Sequence, residues 1–235
     1  MTNFYKNKKI LITGGSRGLG LALAQHLSLE GANVAVVARN SERLATLERE
    51  FSISTIQGDI ADKNSIHRIY GEAIATLGRI DILINNASSL GPTPLRLLID
   101  TDCEDFTQAI ETNLLGAFRL IKLVLPSMIL RNEGIILNIS SDAAVQNYPN
   151  WGAYSVSKSA LNHLTQIFSA ELIETEIKFL AVDPGDMNTE LHLKAVPDAD
   201  LTKLRSPGDS AQLLVNLLTK EHLTSKHIKL NRETL

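Results

Sequence analysis

The sequence predicts an α/β fold, a doubly wound parallel sheet of about seven strands with helices on both faces. Two observations lead to this prediction: apolar runs of strand length recur along the chain, and segments of helical period separate them. A third is that no linker, repeat or low-complexity tract interrupts the alternation. We therefore expect a single domain over residues 1–235.

Each predicted strand is a short apolar run, typical of strands that are buried on both faces. The predicted strands are residues 10–13, 34–38, 53–57, 80–84, 135–139, 177–182 and 228–230. The predicted helices are residues 19–30, 41–50, 65–77, 104–130, 153–173 and 209–218. In such a sheet the carboxyl ends of the strands form one rim, where ligands bind.

Composition limits the possible functions. The chain is 44% hydrophobic and 21% charged, as in a globular domain with a large core. A net charge of −3 without a dense basic segment argues against nucleic-acid binding. The first apolar run is broken by Gly14, Gly15 and Arg17, which argues against a signal peptide or a membrane span. The single cysteine, Cys103, suits a reducing cytoplasm, and the six histidines show no metal-ligand spacing.

The most informative segment is a glycine-rich turn between the first strand and the first helix. It has the spacing Thr-Gly-x-x-x-Gly-x-Gly, with glycines at Gly14, Gly18 and Gly20. Glycines let backbone N–H groups approach a diphosphate, and the helix N-terminus behind them favours negative charge. The turn therefore predicts a dinucleotide site, although it differs from the common G-x-G-x-x-G pattern.

The same turn has a second interpretation. Residues 14–18 also match G-x-S-x-G, the turn that carries the nucleophile of many serine hydrolases. A hydrolase using Ser16 therefore remains an alternative, although no earlier strand is present to supply an oxyanion-hole loop.

Tyr154 and Lys158 lie four residues apart in a predicted helix, so their side chains share a face. An ammonium group stabilises a phenolate, and we expect it to lower the tyrosine pKa from about 10. Such a tyrosine can exchange a proton with a carbonyl or an alcohol. Tyr5 and Lys9 have the same spacing, which we interpret as accidental, within a solvated N-terminal arm that also carries Lys6 and Lys8.

With these motifs in place, the chain resembles a short-chain dehydrogenase/reductase of the single-domain type. The resemblance covers nearly the whole length and rests on residues in the family's order: Thr13-Gly14-x-x-x-Gly18-x-Gly20, Asp59, Asn85-Asn86-Ala87, Asn113, Ser141, Tyr154-x-x-x-Lys158, and Pro184-Gly185 with Thr189. It implies a Rossmann-like fold and hydride transfer between a nicotinamide cofactor and a carbonyl or secondary alcohol.

The resemblance also implies roles for individual residues. Tyr154 is the expected general acid/base, and Lys158 the residue that lowers its pKa and holds the nicotinamide ribose. Ser141 is expected to hydrogen-bond the substrate oxygen, and Asn113 to hold a water that links Lys158 to solvent. Asp59 is expected to meet the adenine amino group. Taken alone, Asp59 could merely shape a turn, and Asn113 could be a satisfied polar residue in a helix.

The cofactor site implied in this way has seventeen members. They are Gly14, Ser16, Arg17, Gly18, Leu19, Gly20, Arg39, Asp59, Ile60, Asn86, Ala87, Tyr154, Lys158, Pro184, Gly185, Met187 and Thr189. NAD sites usually carry an acidic residue at the end of the second strand, where this chain has Ala38 followed by Arg39. Together with Arg17, Arg39 suits a 2′-phosphate, so we expect NADP (NADPH) rather than NAD.

The sequence identifies the substrate less specifically than the cofactor. An apolar or ring-bearing carbonyl compound is indicated by Leu90, Tyr148, Trp151, Leu191 and His192. The long segment 186–205 is expected to form a mobile lid.

We expect a homodimer through the helices 104–130 and 153–173. A homotetramer is less favoured, because residues 231–235 lack the glycine-rich finish usual in the family. A regulatory protein that binds nucleotide without turnover remains an alternative to the enzyme.

Overall fold

The computed structural model describes residues 4–220 and 227–230 of the chain. Residues 231–235, on which the preference for a dimer over a tetramer depended, lie outside the described residues. The described part contains a seven-stranded parallel sheet with strand order β3-β2-β1-β4-β5-β6-β7. This order confirms the predicted doubly wound sheet, with its switch point between the first and fourth strands.

All seven predicted strands are present, with shifts of one or two residues at their ends. They are β1 (Lys9–Thr13), β2 (Asn33–Ala38), β3 (Ser54–Gln57), β4 (Ile82–Asn85), β5 (Gly134–Ile139), β6 (Ile177–Asp183) and β7 (His227–Lys229). The helices are α1 (Gly18–Leu29), α2 (Ser41–Glu50), α3 (Ile66–Leu77), α4 (Cys103–Ile110), α5 (Gly116–Arg131), α6 (Gly152–Glu171), α7 (Glu190–Ala195) and α8 (Pro207–Leu218). The short helix α7 lies inside the segment for which the sequence predicted only a lid.

Two apolar clusters cover the two faces of the sheet. Helices α1, α2 and α8 pack on one face, and α3, α5 and α6 pack on the other. The strands contribute buried residues to both clusters, which explains their continuous apolar sequences. Burial of this apolar surface is the main source of the free energy of folding.

The predicted helix 104–130 is a continuous helical segment in three parts. A π-helical turn, Glu111–Leu115, separates α4 from α5. By length and composition alone, Cys103–Arg131 is apolar enough to cross a membrane. Its buried residues, including Leu120, Val124 and Met128, pack in the core against the sheet.

The N-terminal arm differs from the solvated segment that the lysines predicted. Tyr5 is 2% exposed and belongs to the core cluster, and its hydroxyl donates a hydrogen bond to the Val215 carbonyl in α8. Burial raises the pKa of Tyr5. Lys8 forms an ion pair with Glu133. The aromatic ring therefore anchors the arm, because its apolar area outweighs the three neighbouring charges.

Tyr5→Phe is expected to lower the free energy of unfolding by about 1 kcal/mol, because the Val215 carbonyl loses a buried donor. Chemical denaturation measures this change. Tyr70→Phe is the matched control, since the Tyr70 hydroxyl forms no hydrogen bond within the described part of the chain. Equal stability of the two variants would contradict the anchoring role.

Candidate active site

The glycine turn after β1 is braced by the end of β4. The Thr13 hydroxyl accepts hydrogen bonds from the backbone N–H groups of Asn86 and Ala87, both at 3.0 Å. The Asn86 amide donates to the carbonyls of Thr13 (2.9 Å) and Gly14 (3.1 Å). A Cβ at Gly14 would lie 2.8 Å from the Ala87 Cα, so the turn requires glycine there.

Helix α6 is fixed to the end of β5 by buried polar groups. The Asn138 amide accepts from Asn85 (2.8 Å) and donates to the Thr165 hydroxyl of α6 (2.9 Å). Ser140, directly after β5, donates to Asn162 of α6 at 2.6 Å. These buried hydrogen bonds orient α6, and with it the two residues of the Tyr-x-x-x-Lys motif.

Tyr154 and Lys158 are both buried on α6, with exposures of 7% and 1%. Burial raises the pKa of Tyr154 to about 12, and hydrogen bonds with the hydroxyls of Ser141 and Ser88 oppose this rise. The expected lowering of the Tyr154 pKa is therefore not found in the protein alone. Desolvation disfavours the phenolate more strongly than these neighbours stabilise it.

Lys158 has the opposite perturbation. Burial lowers its pKa to about 7. Its ammonium group donates to the Ile139 carbonyl at 2.7 Å and lies 5.6 Å from the centre of the Tyr154 ring. Lys158 is thus anchored to the end of β5 and faces the ring of the tyrosine.

Ser141 and Ser140 have different roles. Ser141 faces Tyr154, as the resemblance implies, whereas Ser140 bonds to α6. The Ser141 hydroxyl also donates to Asp142 at 3.1 Å, and Asp142 accepts from the Tyr148 hydroxyl at 2.8 Å. This last contact raises the pKa of Tyr148.

The side-chain amide of Asn113 is fully hydrogen-bonded within the protein. It lies in the π-helical turn, where its oxygen accepts from the Ser89 N–H and the Ser88 hydroxyl. Its nitrogen donates to the Ser89 carbonyl and the Ser157 hydroxyl, both at 2.8 Å. These four bonds use the full capacity of the side-chain amide, which therefore holds the 88–89 loop. The water at Asn113 stays a prediction. π-Helical turns of this kind frequently occur at functional sites.

One cavity of about 680 Å³ collects the predicted site residues. It runs from the glycine turn, past the ends of β2 and β4, to Tyr154, Lys158 and Ser141. All predicted cofactor and substrate residues except Gly20 line this cavity. Asn113, a predicted catalytic residue, lies behind Ser88 and does not line it. A Cβ at Gly20 would lie 2.4 Å from the Gly14 carbonyl oxygen, so Gly20 acts by allowing close packing within the turn.

The adenine end of the cavity is charged. Arg39 lies 3.5 Å from Asp59, which also accepts a hydrogen bond from the Ala61 N–H. Asp59 therefore shapes the turn, as its simpler interpretation predicted, and still lines the cavity. Arg43, which was not among the predicted site residues, enters the cavity from the first turn of α2. The sequence did offer a signal for Arg43, because it lies in the first turn of a helix that Asn40 caps.

The substrate end is apolar and aromatic. Tyr148, Trp151 and Tyr154 form a chain of ring contacts, with centroid separations of 6.2 and 5.8 Å. Around Tyr154 lies a small apolar cluster of Leu90, Leu95, Ala143, Trp151, Leu191 and Ala195. Ser88, which the sequence analysis missed, lies at the junction of this cluster and the cofactor end. His192 Nδ1 lies 3.7 Å from Asp186, and within residues 4–220 no hydrogen bond joins Ser16 to a histidine, as the nucleophile of a hydrolase would require.

Comparison with known proteins agrees with this geometry. The family model described as short chain dehydrogenase matches residues 8–200. A fatty acyl-CoA reductase of Acinetobacter baylyi is 33% identical, with 92% of this chain and 74% of that protein covered. The chain belongs to the short-chain dehydrogenase/reductase family and is an oxidoreductase of that family.

Solved structures share the fold. The structure of a putative short chain dehydrogenase from Pseudomonas syringae has a TM-score of 0.89 at 26% identity, with 97% of this chain and 96% of that chain covered. A variant of the actinorhodin polyketide ketoreductase, solved with NADPH, has a TM-score of 0.86 at 25% identity and covers 95% of each chain. The seven-stranded parallel sheet and the helices on its two sides are therefore those of this family.

Lys158→Met is expected to stabilise the fold most at low pH. In the unfolded chain the lysine keeps its proton up to a pKa near 10.5, whereas the folded value is about 7. Wild-type stability therefore rises between pH 7 and 10.5, where the unfolded state binds more protons. The stability gain of Lys158→Met should accordingly be largest at or below pH 7 and shrink as the pH rises to 10.5.

Thermal unfolding at a series of pH values measures this dependence. The control is Lys122→Met, because Lys122 lies on the exposed side of α5. A difference between Lys158→Met and wild type that does not vary with pH would contradict the assigned perturbation.

Proposed function

We propose that the protein is an NADP-dependent oxidoreductase that interconverts a carbonyl and a secondary alcohol, with Tyr154 as general acid/base. The observation that carries the proposal is the single cavity that joins the glycine turn to buried Tyr154 and Lys158. The cofactor, when bound, supplies or accepts the hydride. The protein provides the proton and the position of the substrate.

The surroundings of Tyr154 are suited to proton transfer from its hydroxyl to the substrate. A pKa of about 12 keeps the phenol protonated at neutral pH, so the hydroxyl can donate to a substrate carbonyl oxygen as hydride arrives. The resulting phenolate is stabilised by the hydroxyls of Ser141 and Ser88. In the reverse direction, the phenolate accepts the proton of the alcohol.

The choice of NADP rests on charge at the end of β2. Ala38 ends the strand, without an acidic side chain to hold a ribose 2′-hydroxyl, and Arg17, Arg39 and Arg43 line the cavity around it. Guanidinium groups are suited to bind a phosphate through paired hydrogen bonds. The NADPH complex of the polyketide ketoreductase supports this assignment.

We further propose an apolar carbonyl substrate. The apolar cluster around Tyr154 supplies contact area on several sides, and Leu191 and Ala195 of α7 cover it from the 186–205 segment. Apolar lining with a few placed polar groups is typical of small-molecule sites. The name of the Acinetobacter relative, a fatty acyl-CoA reductase, is compatible with a substrate that carries an apolar chain.

The assembly and compartment are also proposals. Apolar side chains are exposed on the helices of the expected dimer: Ile129 and Leu130 near the end of α5, and Val156 and Ile167 on α6. These residues support a homodimer through α4, α5 and α6, which light scattering would detect. Cys103 is exposed and free, which suits a reducing cytoplasm.

Tyr154→Phe is expected to lower turnover by about 100-fold or more, the usual scale for loss of a general acid/base. NADPH binding should persist, because the ring and its packing are retained. Steady-state kinetics on a substrate found in a panel of carbonyls and alcohols, with NADPH titration alongside, measure both. Tyr70→Phe is the matched control, because Tyr70 lies on α3 and outside the cavity lining. Near-normal turnover of Tyr154→Phe would refute the assignment.

Arg39→Ala is expected to weaken NADPH binding by about 10- to 100-fold, since a hydrogen bond to a charged group contributes roughly 1.5–3 kcal/mol. NADH binding should barely change. Arg49→Ala is the control, because the Arg49 side chain, on α2, is as exposed as that of Arg39 but lies outside the cavity lining. Equal weakening of both cofactors would show that Arg39 supports the fold rather than the phosphate.

A further inference from the structure

The carboxylate of Glu190, the first residue of α7, lies among the cations of the cofactor site. It contacts Arg17 Nη1 at 2.5 Å, Lys194 Nζ at 3.0 Å and Arg43 Nη2 at 3.7 Å. Glu190 is more than 140 residues from Arg17 and Arg43 in sequence. The covering segment 186–205 is therefore tied to two of the three arginines to which we assign the 2′-phosphate.

Helix α7 connects this contact to the substrate end. The Thr189 hydroxyl caps α7 by accepting from the His192 N–H, and the Thr189 methyl lies next to Gly18 of the glycine turn. On the same short helix, Leu191 and Ala195 pack in the apolar cluster around Tyr154. A change at Glu190 is thus transmitted through one turn of helix to the residues that cover the substrate site.

The charges of Glu190 and its cationic partners determine how readily a phosphate can replace the Glu190 carboxylate. Hydrogen bonds and charge interactions with Lys194 and Arg17 lower the pKa of Glu190 to about 2, so the carboxylate is a permanent anion at physiological pH. The three cationic partners are well exposed, at 43–54% of their side-chain area, so these ion pairs are weak. A phosphate carries nearly two negative charges and three acceptor oxygens, and it competes strongly for the same guanidinium groups.

We propose that Glu190 and the 2′-phosphate of the cofactor compete for Arg17 and Arg43, so that Glu190 reduces the preference for NADP over NAD and links 2′-phosphate binding to release of α7. The proposal rests on the proposed function, since it takes the arginines as the phosphate site. The uncharged 2′-hydroxyl of NAD leaves the Glu190 contacts in place. Helix α7 therefore stays tied to Arg17 and Arg43 when NAD is bound, and it is released when NADP is bound.

Fragments of the cofactor test the competition without turnover. Calorimetry with 2′,5′-ADP and with 5′-AMP compares ligands that differ in the 2′-phosphate. Glu190→Gln is expected to bind 2′,5′-ADP about two- to fivefold more tightly than wild type, the scale of an exposed ion pair, with 5′-AMP unchanged. Glu42→Gln is the charge-matched control, because it removes a carboxylate next to Arg43 that does not pair with it.

Amide exchange tests the link to the covering segment. In wild type, 2′,5′-ADP should speed exchange in Glu190–Ala195, and 5′-AMP should not. In Glu190→Gln this exchange should be fast already and should not respond to 2′,5′-ADP.

The two proposals fail separately. Wild type that binds 2′,5′-ADP no more tightly than 5′-AMP overturns the assignment of NADP. A preference for 2′,5′-ADP that Glu190→Gln leaves unchanged, or that Glu42→Gln raises equally, overturns the competition alone. Unchanged exchange of α7 in wild type with 2′,5′-ADP overturns the link to the covering segment.

Discussion

The site depends on the clamp between the ends of β1 and β4. The Thr13 hydroxyl and the Asn86 amide exchange four hydrogen bonds with backbone groups of the two strand ends, and Gly14 packs directly on Ala87. These strands meet at the switch point of the sheet, where the crossovers leave in opposite directions and open a crevice. The clamp fixes the glycine turn on one side of that crevice. It also fixes Asn86 and Ala87 on the other side, directly before Ser88, which hydrogen-bonds with Tyr154.

Beyond this clamp, desolvation determines the chemistry of the reacting groups. Buried hydrogen bonds hold α6 against β5, so Tyr154 and Lys158 cannot move out to solvent. Their pKa values consequently shift in opposite directions, each toward the neutral form. Tyr154 remains protonated and can therefore donate a proton to the substrate. The neighbouring hydroxyls of Ser88 and Ser141 then lower the free energy of the phenolate that the transfer leaves behind.

Much of this arrangement was accessible from the sequence because it depends on local pattern. Strand positions follow from apolar runs, and the glycine turn from its spacing. Three features depended on packing instead. The burial of Tyr5 against α8 involves a contact 210 residues away. The saturation of Asn113 arises from a π-helical turn that periodicity cannot distinguish from α-helix. The raised pKa of Tyr154 reflects the amount of burial, which the four-residue spacing to Lys158 does not report.

The central claim is that one cavity holds a dinucleotide from the glycine turn to Tyr154. Trp151 is the only tryptophan of the chain and lines the substrate end of this cavity, next to Tyr154. Energy transfer from its indole to NADPH therefore reports a nicotinamide at that end. Titration with NADPH should quench Trp151 emission saturably, with one cofactor per chain and a higher affinity than for NADH. Absence of saturable transfer with either cofactor would contradict the account.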